Sequence, residues 1–255
     1  MPIRTEIHER TAVVTIDRPE RRNAVDVDAQ GALYAAFERF DADEALDVAI
    51  LTGAGGHFCG GADLRAMAEG KRKIYDDEGP MGPMGPTRMR LSKPVIAAIE
   101  GYAVAGGAEL ALWCDLRVMA EGATFGIFCR RFGVPLIDLG TVRLPRLIGH
   151  SRAMDLILTG RPVGAAEAER IGLANRIAPQ GKALEVALEL AATLSKFPQR
   201  CLRNDRRSAL EQWGLDERAA RVNEFRLGME TIASGESTAG AERFARGEGR
   251  GGRFD

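Results

Sequence analysis

Short apolar runs alternate with longer amphipathic stretches along the first half of the chain. Four of the runs are rich in β-branched residues and predict strands, at residues 11–16, 47–51, 94–101 and 116–120. The later runs are apolar enough to be buried on both faces, as strands of parallel sheets are. Residues 26–40 place Leu33 and Phe37 on one face behind Asp26, which predicts a capped helix. This alternation predicts an α/β fold with a largely parallel sheet.

Beyond about residue 150 the pattern becomes helical. A strand signal remains around residues 174–178, in the sequence ANRIA. No linker rich in Ser or Pro separates this part from the rest, so we do not expect it to be independent. The sequence predicts a core over residues 1–195, which carries the functional site, and a helical C-terminal region over residues 196–255.

The composition predicts a globular protein without a strong overall electrostatic field. The 255 residues are 45% apolar and carry a formal net charge of −1, so we expect neither a nucleic-acid partner nor a membrane surface. The start of the chain lacks the uninterrupted apolar core of a signal peptide. No window approaches the roughly 18 apolar residues of a spanning helix. A cytoplasmic location is the prediction.

Cysteine and histidine spacing gives no sign of a metal site. The four cysteines are widely separated and form no CxxC pair, and the three histidines show no ligand spacing. We therefore expect reduced thiols and no metal.

Residues 78–89, EGPMGPMGPTRM, interrupt the regular pattern. Two Met-Gly-Pro triplets are too rich in Gly and Pro for a helix or strand, so the segment predicts a mobile surface loop. A lid over a site is the alternative.

Two glycine-rich segments each follow a predicted strand and lead into a helix, at residues 51–64 and 99–112. Glycine allows close backbone approach, and the first turn of a helix presents unpaired N–H groups at the positive end of its dipole. Two such turns that meet would form an oxyanion hole. Tight packing turns are the alternative explanation, since neither segment fits a dinucleotide or phosphate-loop motif.

Five motifs occur in an order that resembles the crotonase family, the enoyl-CoA hydratase/isomerase superfamily. The motifs are RPERRNAVD at 18–26, TGAGGHFCGGADL at 52–64, KPVIAAIEGYAVAGGAELALWCDLRVMA at 93–120, FG at 125–126 and GTVRLPRLIG at 140–149. The resemblance implies a crotonase-like spiral of ββα units with a helical C-terminal trimerisation region, assembled as a homotrimer or homohexamer. It also implies an acyl-CoA thioester substrate, of the kind met in fatty acid metabolism, and no further cofactor, because coenzyme A is part of the substrate.

Residue by residue, the resemblance implies an oxyanion hole formed by the N–H groups of Ala62 and Gly106. It implies that Glu109 is a catalytic acid/base, and one helical turn beyond Gly106 is a suitable position for that role. Residues beside these are expected to line the substrate: Gly61, Asp63, Gly107 and Cys129. Asp63 is also expected to cap the following helix.

The family's second catalytic glutamate has no counterpart here, because Cys129 stands at its position in FGIFC. A thiol with the ordinary pKa of about 8.5 is mostly neutral, although Arg130 and Arg131 would favour a thiolate if they pointed inward. A small buried cysteine is the alternative. Nine residues further on, Asp138 is the candidate second carboxylate; a turn-forming aspartate is the alternative.

The sequence therefore predicts an enoyl-CoA hydratase of lyase type, or an enoyl-CoA isomerase in which Glu109 is the single base. A third hypothesis is a non-catalytic protein of the same fold that binds a partner or RNA. Arginines at helical steps within residues 199–210 and the loss of a glutamate at Cys129 favour it, whereas the near-neutral charge and Glu109 count against it.

Overall fold

The computed structural model describes residues 1–71 and 75–249. Within these residues the strands are β1 (Ile3–His8), β2 (Thr11–Ile16), β3 (Val48–Gly53), β4 (Val95–Ile99), β5 (Tyr102–Val104), β6 (Leu116–Ala120), β7 (Thr124–Gly126), β8 (Pro162–Gly164) and β9 (Arg176–Ala178). The α-helices are α1 (Val27–Ala42), α2 (Leu64–Ala68), α3 (Gly106–Trp113), α4 (Gly140–Ile148), α5 (His150–Thr159), α6 (Ala165–Arg170), α7 (Ala183–Ser195), α8 (Gln199–Glu211), α9 (Glu217–Ala233) and α10 (Glu236–Arg246).

The larger sheet has six strands in the order β1-β2-β3-β4-β6-β9. β1 is antiparallel to β2, and each of the other neighbouring pairs is parallel. A smaller sheet has the order β5-β7-β8. These sheets confirm the predicted α/β fold and its largely parallel sheet. The four predicted runs correspond to β2, β3, β4 and β6, and the ANRIA signal corresponds to β9.

Side chains of the parallel strands and the helix faces that cover them form the main core. All six residues of β2 and all five of β4 are buried, which agrees with strands covered on both faces. α1 buries Leu33, Phe37 and Phe40 against this core. The Asp26 side chain accepts a hydrogen bond from the N–H of Ala29, which confirms the predicted cap.

The prediction of a mobile surface loop at residues 78–89 is wrong for its second half. Residues 82–87 are buried, and Gly82 and Gly85 exchange two backbone hydrogen bonds of 2.8 Å. The Gln30 side chain donates to the carbonyl of Gly82 at 3.0 Å, which ties the turn to α1. The Gly and Pro content correctly indicated irregular backbone, but the hydrogen bonds of this backbone are made inside the protein rather than to solvent.

The chain divides into two compact units, Met1–Leu194 and Ser195–Asp255. The second unit contains α8, α9 and α10. α8 and α9 are joined by Asn204, whose side-chain amide donates to the Leu227 carbonyl and the Thr231 hydroxyl at 3.0 Å. Large apolar side chains on α9 are exposed: Val222, Phe225, Met229 and Ile232. In the described ranges, no helix has the length and apolar character needed to cross a membrane.

Candidate active site

The two glycine-rich segments meet beside the start of α3. Cys59 pairs with β5, since its N–H donates to the Tyr102 carbonyl at 2.8 Å and its carbonyl accepts from Val104 at 3.0 Å. A Cβ atom on Gly61, whose φ is +96°, would lie 3.0 Å from the nitrogen of Gly106. Glycine at position 61 therefore allows the first segment to approach the helix start within van der Waals contact.

Gly106 begins α3, so its N–H belongs to the first turn and has no acceptor within the helix. The preceding residue, Ala105, has φ 55° and ψ −125°, a conformation that costs an alanine about 1 to 3 kcal/mol. Its own N–H donates to the Gly126 carbonyl at 2.9 Å, which anchors the bend to β7. The sharp change of direction between β5 and α3 exposes the start of the helix to the first glycine-rich segment.

Ala62 lies in a segment held on both sides by Val25. The Val25 N–H donates to the Gly61 carbonyl at 2.8 Å, and the Val25 carbonyl accepts from Asp63 at 3.0 Å. The Asp63 carboxylate accepts from the N–H of Ala66 at 3.1 Å, so its predicted role as a cap of α2 is confirmed. A contact between Asp63 and a substrate stays a prediction, as it does for Gly61.

Glu109 is a carboxylate in a buried position of α3, with 2% of its surface exposed. Its Oε1 accepts hydrogen bonds from the backbone N–H groups of Asp138 and Gly140, both at 2.9 Å. A Cβ atom at position 140 would lie 2.8 Å from that oxygen, so only glycine leaves room for the contact. Glu109 thus lies against the start of α4, one turn along α3 from Gly106.

The pKa of Glu109 is raised from its ordinary value of 4.5 to about 7. Burial is the largest cause and the negative charge of Asp138 adds to it, while the two N–H donors and the Arg143 charge act in the opposite direction. A carboxyl group with a pKa near neutrality is populated in both protonation states at pH 7, which suits a group that accepts and returns a proton.

Asp138 is also buried, with 2% exposed, but its carboxylate is engaged with the turn at residues 82–87. Its Oδ1 accepts from the N–H of Met84 at 2.9 Å and from the hydroxyl of Thr87. Arg143 donates to the backbone carbonyls of Asp138 and Thr87 at 3.0 and 2.7 Å. Asp138 and Glu109 are therefore brought together as the sequence predicted, whereas a catalytic role of Asp138 stays a prediction.

Cys129 is buried in a 3-10 helix, Phe128–Phe132, with 6% exposed. Burial raises the pKa of its thiol, and the charge of Glu109 raises it further, against a smaller opposite effect of Arg130. Arg130 is exposed and donates to the Ile157 carbonyl, while Arg131 lies over the Phe128 ring. Both arginines are exposed, so the condition for a thiolate is not met, and the raised pKa leaves the thiol neutral at pH 7.

Gly107, whose contact with a substrate stays a prediction, and four residues to which the sequence analysis gave no role complete this arrangement. Gly107 lies where a Cβ atom would come within 2.1 Å of the Cys59 carbonyl oxygen, so it sets how closely α3 packs on the first segment. Met84 and Thr87 were hidden by the prediction of a solvent loop, while Gly140 and Arg143 belong to the quoted motif GTVRLPRLIG without an assigned role. Across the described parts of the chain, no group of three His, Cys, Asp or Glu side chains could hold a metal ion.

Comparisons with known proteins indicate the family to which this chain belongs. The family described as Enoyl-CoA hydratase/isomerase matches residues 6–250. An enoyl-CoA hydratase of Mycobacterium tuberculosis, EchA19, is 38% identical over 242 residues, which cover 92% of this chain and 90% of that protein. A carnitinyl-CoA dehydratase of Salmonella typhi is 43% identical over 183 residues, or 71% of this chain and 69% of that one.

Solved structures extend the likeness to the whole fold. The crystal structure of the enoyl-CoA hydratase EchA1 from Mycobacterium marinum has a TM-score of 0.90 at 36% identity and covers 96% of each chain. The predicted crotonase-like fold is therefore confirmed, and so is the prediction of a hydratase-like enzyme that acts on acyl-CoA. The chain belongs to the enoyl-CoA hydratase/isomerase family.

Proposed function

We propose that this protein adds water to a 2-enoyl-CoA thioester through an enolate held by the N–H groups of Ala62 and Gly106. Glu109 is the acid/base of this reaction. The observation that carries the proposal is the position of the buried Glu109 carboxyl, one helical turn from Gly106, where the Gly61–Ala62 segment also approaches. The names of the relatives support it, because hydration and dehydration are the two directions of one reaction.

Two N–H groups directed at the thioester oxygen would stabilise the charge that develops there when water attacks the β-carbon. In other enzymes the loss of one such donor costs about 2.7 to 4 kcal/mol of activation free energy. Ionised Glu109 takes a proton from the attacking water while the water oxygen bonds to the β-carbon. Neutral Glu109 then returns a proton to the α-carbon, which restores the carbonyl and the starting state of the enzyme. A pKa near 7 supports both steps.

The second candidate is an enoyl-CoA isomerase in which Glu109 moves a proton between two carbons. The neutral thiol of Cys129 favours this candidate, because it stands where the family resemblance expects a second glutamate. A 1,3-proton shift needs one base, whereas hydration also needs a water molecule held in the site.

Turnover of 2-enoyl-CoA and 3-enoyl-CoA in heavy-oxygen water, with products identified by mass, separates the two candidates. Label in the product of the wild type, lost in Glu109→Gln, supports the hydratase. Migration of the double bond without label, also lost in Glu109→Gln, supports the isomerase. If Glu109→Gln turned over as fast as the wild type, the role of Glu109 in either reaction would be refuted.

We propose further that the protein assembles as a trimer or a pair of trimers through its second unit. The exposed apolar side chains of α9 recur at three- and four-residue steps, as on a helix face that packs against a partner. Light scattering after size-exclusion chromatography tests this: a mass of three or six chains supports the proposal, and a stable monomer or dimer contradicts it.

A further inference from the structure

We propose that Thr87 and Asp138 are positioning residues for Glu109, and that the proton is transferred at Oε2 of that glutamate. The inference rests on the proposed role of Glu109 as the acid/base. It assigns to Asp138 a different task from the second catalytic carboxylate that the sequence suggests.

The first step identifies which carboxylate oxygen of Glu109 already accepts hydrogen bonds from the protein. Oε1 of Glu109 accepts two backbone hydrogen bonds, from Asp138 and Gly140, each at 2.9 Å. A carboxylate oxygen offers two lone pairs in the carboxyl plane, so these donors use both of them. Oε1 could take a proton only if one of these hydrogen bonds broke. Oε2 is therefore the oxygen that exchanges a proton with the substrate.

The second step concerns the backbone that presents these donors. Leu139 lies between them in the left-handed region, at φ 66° and ψ 18°, immediately before α4 begins. A left-handed residue at this point turns the N–H groups on either side toward one concave position, as in an anion-binding nest. The nine-residue helix α4 adds the positive end of its dipole. The Glu109 carboxyl occupies this position, so the conformation of residues 138–140 determines its orientation.

The third step concerns what holds that conformation. Oδ1 of Asp138 accepts from Met84 N–H and the Thr87 hydroxyl, so both of its lone pairs are likewise used within the protein. Arg143 joins the same two segments from the backbone side, through the carbonyls of Asp138 and Thr87. Thr87 is the contact of this set that a single side-chain change removes while the charged groups stay in place.

The charges that act on Glu109 make the role of Asp138 measurable. Asp138 raises the pKa of Glu109, Arg143 and the two N–H donors lower it, and the neighbouring Cys129 thiol is neutral at pH 7. Asp138→Asn removes a negative charge and keeps an oxygen that accepts from Thr87, so the pKa of Glu109 falls. Thr87→Val keeps the charge and loosens the donors on Oε1, so the pKa of Glu109 rises.

The test measures the pKa of Glu109 and turnover in the same full-length variants. Carbon-13 NMR on protein labelled at the glutamate carboxyl follows the titration, with the Glu109 signal assigned by its loss in Glu109→Gln. Hydration of 2-butenoyl-CoA gives kcat, KM and the pH dependence of kcat/KM. The variants are Thr87→Val, Thr87→Ser and Asp138→Asn, and Gly164→Ala, a site where an added Cβ meets nothing within 4 Å, is the control.

A positioning role predicts that Thr87→Val lowers kcat by about tenfold to a hundredfold with KM changed by less than about threefold. In the pH profile of kcat/KM for Thr87→Val, the rising limb moves to higher pH. Thr87→Ser recovers most of the wild-type kcat because serine keeps the hydroxyl. Asp138→Asn retains clear turnover, and its rising limb moves to lower pH. Gly164→Ala matches the wild type.

Three results would overturn these assignments in distinguishable ways. Loss of turnover in Asp138→Asn as complete as in Glu109→Gln would make Asp138 the second catalytic acid. An unchanged Glu109 titration and kcat in Thr87→Val would refute the positioning role while the proposed function stands. If the NMR titrations of the variants shifted as stated but the wild-type protein turned over no enoyl-CoA, the positioning contacts would be upheld and the proposed function would be refuted.

Discussion

Replacing Glu109 with glutamine should make the protein's stability less sensitive to pH. Glutamine has the same shape, and its side-chain carbonyl can still accept from the N–H groups of Asp138 and Gly140. The group that titrates is removed, while the hydrogen bonds that hold it remain. The free energy of unfolding in the two proteins then differs mainly by the ionisation of one buried carboxyl.

The magnitude follows from the pKa in the folded and unfolded chains. A carboxyl whose pKa is about 7 when folded and 4.5 when unfolded binds its proton more tightly in the folded state. Its stabilising effect is complete below the unfolded value and is lost as pH rises through the folded value. At 1.36 kcal/mol per pH unit, this loss amounts to about 3 kcal/mol in the wild type. Glu109→Gln does not lose it.

Urea unfolding of both proteins at about pH 5 and about pH 8.5, at one protein concentration, measures the effect. We expect the free energy of unfolding of the wild type to fall between these pH values by about 2 to 3 kcal/mol more than that of Glu109→Gln. Comparing the two proteins cancels the other titrating groups. Glu38→Gln, at an exposed position of α1, controls for the loss of one acidic residue. Identical pH dependence in wild type and Glu109→Gln would refute the raised pKa and the explanation by burial.

Two further predictions concern glycines at the site, with Gly164→Ala as the control for both. Gly140→Ala should lower kcat by at least about tenfold, because its Cβ atom would lie 2.8 Å from Oε1 of Glu109 and displace the carboxyl; a steady-state assay that found wild-type kcat would contradict this. Gly107→Ala should destabilise the fold by about 3 kcal/mol, because its Cβ atom would lie 2.1 Å from the Cys59 carbonyl oxygen; thermal unfolding at an unchanged midpoint would show that α3 can shift to accommodate it.

The central strands could be predicted from sequence because burial on both faces leaves a continuous apolar run. β2 and β4 are fully buried and have this pattern, whereas five of the six residues in β1 are exposed and leave no comparable run. Among the strands of only three residues, β9 gave a signal as ANRIA, whereas β5, β7 and β8 did not, because so few residues seldom produce a periodic pattern. Their positions depend on pairing between distant segments, which local patterns do not encode.

The candidate site could be predicted where its residues lie close together in one helix, because helix geometry then fixes their spacing. Glu109 lies one turn from Gly106 in a single helix, so its position follows from the sequence of that helix. The hydrogen bond that the Thr87 hydroxyl donates to Asp138 could not be predicted. Thr87 lies 51 residues before Asp138, in a segment whose composition is typical of solvent-exposed turns. Composition predicts the irregular backbone of a Gly- and Pro-rich segment, but its burial depends on the tertiary fold.

The buried turn at residues 82–87 has a consequence for attempts to re-engineer this enzyme. Pro83 and Pro86 restrict the unfolded chain, so a turn of this composition loses less entropy on folding than a flexible loop of equal length. An insertion there would separate Met84 and Thr87 from Asp138 and so disturb the candidate active site without touching Glu109 directly. Loop grafting, tags and cleavage sites are better placed in the exposed stretch at residues 75–78, just before the turn.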